Sequence, residues 1–227
     1  TDGTKTIQNT RLMSRIMKSA YDLDCLIMQH AEDLELSKNG MMNDGIISTK
    51  LGLQGIPDIA EKIIIERDLT LLEDLNCRYH VSQISSSKSV DIIEQKKEVV
   101  SFTTGVSINN LSLNENDIGD FRTFLKLSPP LRTEDDRISL IKGINKNLID
   151  VIVSDHKPED EESKRLTFSQ AATGASGVET LLPRSLELFH NGSVKLFKLI
   201  ELLTSNPAKI LKIDKGNLSI GNDADFC

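Results

Sequence analysis

Short apolar runs alternate with amphipathic helical segments along most of the chain, and that alternation leaves few folds open. Cys25-Leu26-Ile27-Met28, residues 77–84, Val99-Val100-Ser101-Phe102 and residues 149–153 each read as a short strand. Their apolar character on both faces marks strands covered on both sides. Helical spacing fills the gaps. Over residues 7–22, Ile7, Leu12, Ile16, Ala20 and Leu23 recur near the helical period. Pro57 sits in the first turn of a helix running to about Asn76, with Ile59, Ile63, Leu69 and Leu72 on one face. Ser86 or Ser87 caps a helix over 88–97, and Thr133 caps one over 133–147 whose first turn holds Glu134, Asp135 and Asp136. Helices at about 176–190, 194–204 and 206–211 close the pattern. Buried strands joined by helices imply an α/β fold with a parallel sheet. Four such strands make half of an eight-stranded (β/α)8 barrel. Functional residues in such barrels sit just beyond the C-terminal ends of strands. That rule selects His30, Gln83 with the serines after it, Thr103-Thr104, and Asp155-His156.

Composition narrows the function. With 34 acidic and 27 basic residues the net charge is −7, which disfavours a nucleic-acid partner, whose affinity rests on cationic contacts to phosphate. Trp is absent and aromatics are 4% of the chain, so platforms for stacking bases are not expected either. No apolar run approaches the ~20 residues that cross a bilayer, so a membrane protein is not expected. Three cysteines, Cys25, Cys77 and Cys227, form no Cys-x-x-Cys pair, and Cys25 and Cys77 read as buried small residues. A reducing cytoplasm is the expected compartment. The chain opens in a loop-like Thr1-Asp2-Gly3-Thr4 and closes after Gly221-Asn222-Asp223-Ala224-Asp225-Phe226, so it reads as a piece of a longer protein.

Several residues have the chemistry for a site, each with a plainer alternative. His30, after an apolar strand, is either a metal ligand or a histidine hydrogen-bonded in a loop. Asp155, at the end of the most strand-like segment, binds metal or acts as a general base, or else caps the following helix. Alternation along a strand turns Asp155 and His156 to different sides. Arg132, after Pro129-Pro130-Leu131, either grips a carboxylate bidentately or pairs with the acids that follow it. Gly174-Ala175-Ser176-Gly177 offers backbone N–H groups to an anion, with a spacing that is weakly diagnostic.

The order of these motifs resembles the second half of a dihydroorotase, of the amidohydrolase superfamily. The stretches that carry the resemblance are residues 27–33 with Met42-Asn43-Asp44-Gly45, residues 51–57, residues 126–132, Ser154-Asp155-His156-Lys157-Pro158, residues 177–183, and Asn206-Pro207-Ala208-Lys209-Ile210. The resemblance implies part of a (β/α)8 barrel, from about strand 4 or 5 to strand 8, over residues 1–213. Residues 214–227 would begin the return to a small flanking β domain. It implies a zinc enzyme of pyrimidine biosynthesis that interconverts dihydroorotate and carbamoyl aspartate. His30 would be a metal ligand, Asp155 a ligand and proton shuttle, and Asp2 a bridging carboxylate. Ser128, Arg132 and Gly177 would contact substrate.

Departures from the family pattern fall on the chemistry. Gln83 stands where the sixth strand normally ends in a ligand histidine, and an amide is a far weaker zinc ligand than imidazole. His80 lies nearby but three residues away, so it should point elsewhere. Ile108-Asn109-Asn110 replaces a His-His pair, Ser128 replaces an asparagine, and Glu159 replaces a histidine that helps hold the substrate carboxylate. The resemblance therefore implies impaired catalysis. Its alternative is a non-catalytic scaffold subunit for aspartate carbamoyltransferase, and an oligomer is expected.

Overall fold

The computed structural model describes residues 3, 5–217, 219–221 and 223. Its centre is a four-stranded parallel sheet in the order β1 (Leu26–Gln29), β4 (Arg78–Ile84), β5 (Thr103–Ser107), β6 (Val151–Val153). The register sets Met28 beside His80, His80 beside Thr103, and Val106 beside Ile152. Among the described residues, β1 and β6 are the sheet's edges. Two further strands, β2 (Met42–Asn43) and β3 (Gly55–Ile56), pair with each other in a separate small sheet.

Ten helices connect and cover these strands among the described residues: α1 (Thr10–Asp22), α2 (Ile46–Leu51), α3 (Ile59–Leu75), α4 (Ser87–Lys96), α5 (Ile108–Ser112), α6 (Glu134–Asn145), α7 (Glu161–Lys164), α8 (Val178–His190), α9 (Leu196–Leu203) and α10 (Ser205–Leu211). Their starts are written locally. Asn9 accepts from the Leu12 N–H, Ser86 from that of Ser89, and Thr133 with Asp136 forms a reciprocal capping box. None of the described helices is long and apolar enough to cross a membrane.

The main core lies between the sheet and the helices. Met13 and Met17 of α1, Leu69 and Leu72 of α3, Ile84 of β4 and Ile93 of α4 are fully buried there. Burying a side chain of this size contributes roughly 1.5–3 kcal/mol. A second cluster, Met42, Ile118, Leu127, Leu131 and Phe168, packs the segments beyond the C-terminal ends of the strands.

Four sequence expectations need correction. The third strand runs over Thr103–Ser107, not over residues 99–102. Val99 and Val100 instead close the exit of α4, their N–H groups bonding to the Lys96 carbonyl, and Val99 is exposed. Thr103 and Thr104 thus lie inside a strand rather than at its functional end. In α3 the buried face is Ala60, Glu61, Ile64, Ile65, Asp68, Leu69 and Leu72, while Ile59 and Ile63 are exposed. The face turns because two acids on it find partners inside: Asp68 bonds Tyr79 and Arg67, and Glu61 bonds a serine cluster. Cys25 is exposed, whereas Cys77 is buried as expected. In α1, Leu12 and Leu23 face outward, and Met13, Met17 and Ala20 do the packing.

Candidate functional site

A cavity of about 510 Å3 opens beyond the C-terminal ends of the strands, with Glu32, Ser128, Asp155, Lys126 and Lys157 on its walls. β1 delivers His30 to the back of this cavity. The His30 ring is buried, and its Nε2 lies 3.2 Å from Glu32 Oε2 and 3.3 Å from Ser128 Oγ. The Thr6 hydroxyl donates to the His30 carbonyl at 2.7 Å and fixes the strand end. β6 delivers Asp155, whose backbone turns into the left-handed region with φ of 50°. Aspartate tolerates that region better than most residues, and strained backbone of this kind concentrates at functional sites. The turn separates two neighbours. Asp155 accepts from the Gln83 amide at 2.9 Å, while His156 reaches away and accepts from the Gly177 and Val178 N–H groups at 3.1 and 3.3 Å.

The charges in the cavity are tuned by burial. Burial raises the Asp155 carboxyl above the ordinary aspartate value, partly offset by the Gln83 bond and by the fields of His30 and Lys157. Burial also pushes Glu32 up, but bonds from His30 and Ser37 together with nearby positive charge outweigh it and leave Glu32 below its usual value.

Beneath the cavity runs a buried polar network that sequence reasoning missed. Glu61 of α3 accepts from the Ser85 and Ser86 N–H groups and from the hydroxyls of Ser85 and Ser89, just past the end of β4. Arg132, 3% exposed, donates to Ser85 Oγ at 3.1 Å, to Asn43 Oδ1 at 2.9 Å and to the Ile56 carbonyl. Asn43 in turn donates to Glu115 at 2.7 Å. The network ties the end of β4, the small β2–β3 sheet and the segment after Ser128 into one frame. The available signal was Glu61 and Asp68, two acids seven residues apart on an otherwise apolar helix face.

The structure brings His30, Gln83, Ser128 and Asp155 together. It sets Arg132 among internal acceptors behind the cavity rather than on its wall. The Gly177 N–H is already bonded to His156, so it faces the loop rather than the cavity. His80 points elsewhere, its Nδ1 2.7 Å from Thr103 Oγ1. Glu159 does not line the cavity. It faces a neighbouring one beside Asn109, Phe124 and Lys164, and lies 3.4 Å from Lys157 Nζ. Asp2 lies outside the described residues, as do parts of the 214–227 segment expected to lead to a β domain.

The resemblance implies zinc at this end of the sheet. Such a site needs three or four converging N, S or O donors. Among the described residues no group of three or more His, Cys, Asp or Glu side chains comes together to hold a metal ion. Where the resemblance would place a third ligand, the Gln83 amide nitrogen donates a hydrogen bond to Asp155. The described residues do not fit zinc by themselves.

Comparison with known proteins bears on the family and the fold. A family model described as Dihydro-orotase-like matches residues 1–89. The chain is 42% identical to a dihydroorotase of Ehrlichia canis (strain Jake) over 228 aligned residues, covering 100% of this chain and 51% of that protein. It is 41% identical to a dihydroorotase of Syntrophus aciditrophicus (strain SB), covering 99% of the chain and 53% of the relative. Among solved structures, L-hydantoinase (dihydropyrimidinase) from Arthrobacter aurescens superposes with a TM-score of 0.84 at 25% identity, over 99% of this chain and 52% of that one. Dihydropyrimidinase from Brevibacillus agri shares the fold, with a TM-score of 0.80 at 22% identity over 94% of this chain and 49% of that one. The chain spans about half the length of the curated relatives it matches. Its sheet is part of an amidohydrolase barrel, and over its whole length the chain is similar to about half of a dihydroorotase.

Proposed function

We propose that the protein carrying this chain is a dihydroorotase-type member of pyrimidine biosynthesis, working in the cytoplasm, whose cavity takes dihydroorotate and carbamoyl aspartate. The observation that carries the reading is Asp155, set half-buried in the cavity wall between Gln83 and the field of His30. Its role is to take the proton of the water that attacks the cyclic amide carbonyl and to return it to the ring nitrogen as the C–N bond breaks. A carboxyl raised by burial is better matched to that exchange near neutral pH than an exposed one. Ser128 steadies the His30 ring behind it. Turnover is impaired on this reading, because the Gln83 amide stabilises the charged carboxylate and makes Asp155 a weaker base.

The same hydrogen bond favours a second reading, in which the site is retired and the protein supports aspartate carbamoyltransferase as an oligomeric scaffold. One preparation of the full-length protein distinguishes them. Dihydroorotate turnover, zinc content by mass spectrometry and co-purifying carbamoyltransferase are measured together. Turnover abolished by Asp155→Asn supports the enzyme. A folded protein without turnover that retains a carbamoyltransferase overturns it in favour of the scaffold.

A further inference from the structure

Two lysines, Lys126 and Lys157, line the cavity, and Lys164 lines the neighbouring one. Lys126 Nζ donates to the carbonyls of Ser169 and Ala171 at 3.0 and 2.8 Å, and Lys164 Nζ to those of Ala172 and Gly174, both at 2.8 Å. Lys157 Nζ donates to the Thr173 carbonyl at 2.8 Å. Lys126 and Lys164 are buried, each over an aromatic ring, Phe168 and Phe124 respectively. Among the described residues neither has a carboxylate within ion-pair distance, so their charge is solvated by carbonyls and rings but not cancelled. Asp155 and Glu32 line the same cavity. The cavity therefore presents both cationic and acidic groups to a ligand.

Lys157 is the most exposed of these lysines. Its side chain is 48% exposed, against 8% for residue Lys126 and 3% for residue Lys164. Its stem lies flat over Gly174, whose φ is +141°. A Cβ at Gly174 would come within 3.0 Å of Lys157 Cγ and Cδ and 2.5 Å of its carbonyl oxygen. The glycine is what lets the lysine lie along the rim. An ammonium has three donors. One is committed to Thr173, and the Glu159 contact, at 3.4 Å, is long for a hydrogen bond.

We propose that Lys157 is the specificity-determining residue of this cavity: it binds the carboxylate of the ligand and selects rings that bear one. The inference rests on the cyclic-amide reading above and deepens it. The ring amide then faces Asp155, and the carboxylate faces Lys157. Lys157 swings from Glu159 to the ligand, leaving Glu159 in the field of Lys164.

Binding to the full-length protein tests this with two rings, dihydroorotate and 5,6-dihydrouracil, which differ by the carboxylate alone. Lys157→Met is expected to weaken dihydroorotate by roughly tenfold or more, the scale of one charge-assisted hydrogen bond. Dihydrouracil should change by less than about twofold, since it offers no carboxylate to that bond. Lys157→Arg should retain most of the preference. Equal loss for both rings, or no loss for either, overturns the role of Lys157 while leaving the cyclic-amide site standing. Wild-type protein that binds neither ring overturns both.

Discussion

The side-chain amide of Gln83 donates to Asp155 Oδ1 across 2.9 Å, joining the C-terminal ends of two strands that are not neighbours in the sheet. A glutamine here satisfies the carboxylate with a neutral donor and adds no charge. Replacing it by histidine restores a group able to ligate metal at the same strand end. In the full-length protein, Gln83→His is expected to raise both bound zinc and dihydroorotate turnover. The expected gain is roughly 10–100-fold, the range over which single groups near a metal alter affinity or activity. Zinc by mass spectrometry and turnover in the same sample check this. Unchanged values for both place the deficit elsewhere in the site.

Glu61 and Arg132, two buried charges bridged by the Ser85 hydroxyl, make a prediction about stability. Nearby acids, Glu61 first among them, support the Arg132 charge against the burial that lowers its pKa. Removing one partner of a buried charge pair leaves the other uncompensated and typically costs about 3–5 kcal/mol. Glu61→Ala should show a loss of that order in urea unfolding of the full-length protein. Glu61→Gln, which can still accept from Ser85 and Ser86, should lose less. Because the network also holds the end of β4, Glu61→Ala should weaken dihydroorotate binding beyond what the unfolded fraction explains. A wild-type unfolding curve for Glu61→Ala would remove Glu61 from the frame.

Much of this was legible in the sequence, for reasons that can be named. Helix starts were plain because Thr133 and Ser86 carry their caps locally. His30 and Asp155 stood out because strand ends are where a barrel exposes side chains. The strand Thr103–Ser107 was missed because Thr-Thr-Gly carries little apolar signal, while Val99 and Val100 mimic a strand and instead terminate a helix. The turning of Glu159 away from the cavity depends on where Lys157 and Lys164 lie, and no local pattern encodes it. Arg132 was ambiguous in sequence because its acceptors, Asn43, Ile56 and Ser85, are 47 to 89 residues away along the chain.

His80 gives the fold a defined pH dependence. It is buried inside the sheet with Thr103 as partner, and burial lowers its pKa from 6.5 to about 4. The folded pKa lies below the unfolded one, so between the two values the unfolded chain binds the proton and the folded chain does not. Stability from this residue is complete above about pH 6.5 and falls as the pH drops toward 4. The whole shift corresponds to an upper bound of about 3 kcal/mol. Unfolding free energies of the full-length protein measured from pH 7 to pH 4 should show this decline, and His80→Gln should flatten it across that window. An unaltered slope in the variant would assign the decline to other groups.

Gly177 is where the loop before α8 presses against the strand end that carries the site. A Cβ there would stand 2.1 Å from the Ser154 carbonyl oxygen, immediately before Asp155. Its φ of −132° is open to any residue, so the obstacle is contact and not backbone strain. Gly177→Ala must push the loop away from Ser154, at the roughly 1–3 kcal/mol that overpacking costs. The displacement also pulls the Gly177 N–H from His156 and shifts Asp155. Gly192 supplies the control: its φ is +77° but nothing lies within 4 Å of an added Cβ. Gly192→Ala should cost stability through backbone strain alone and leave dihydroorotate affinity as in wild type. Gly177→Ala should lose affinity as well as stability, read by thermal melting and ligand titration of the same full-length samples. Equal affinities for the two variants would mean that the loop yields without moving Asp155, and that the strand end is held by the Gln83 bond alone.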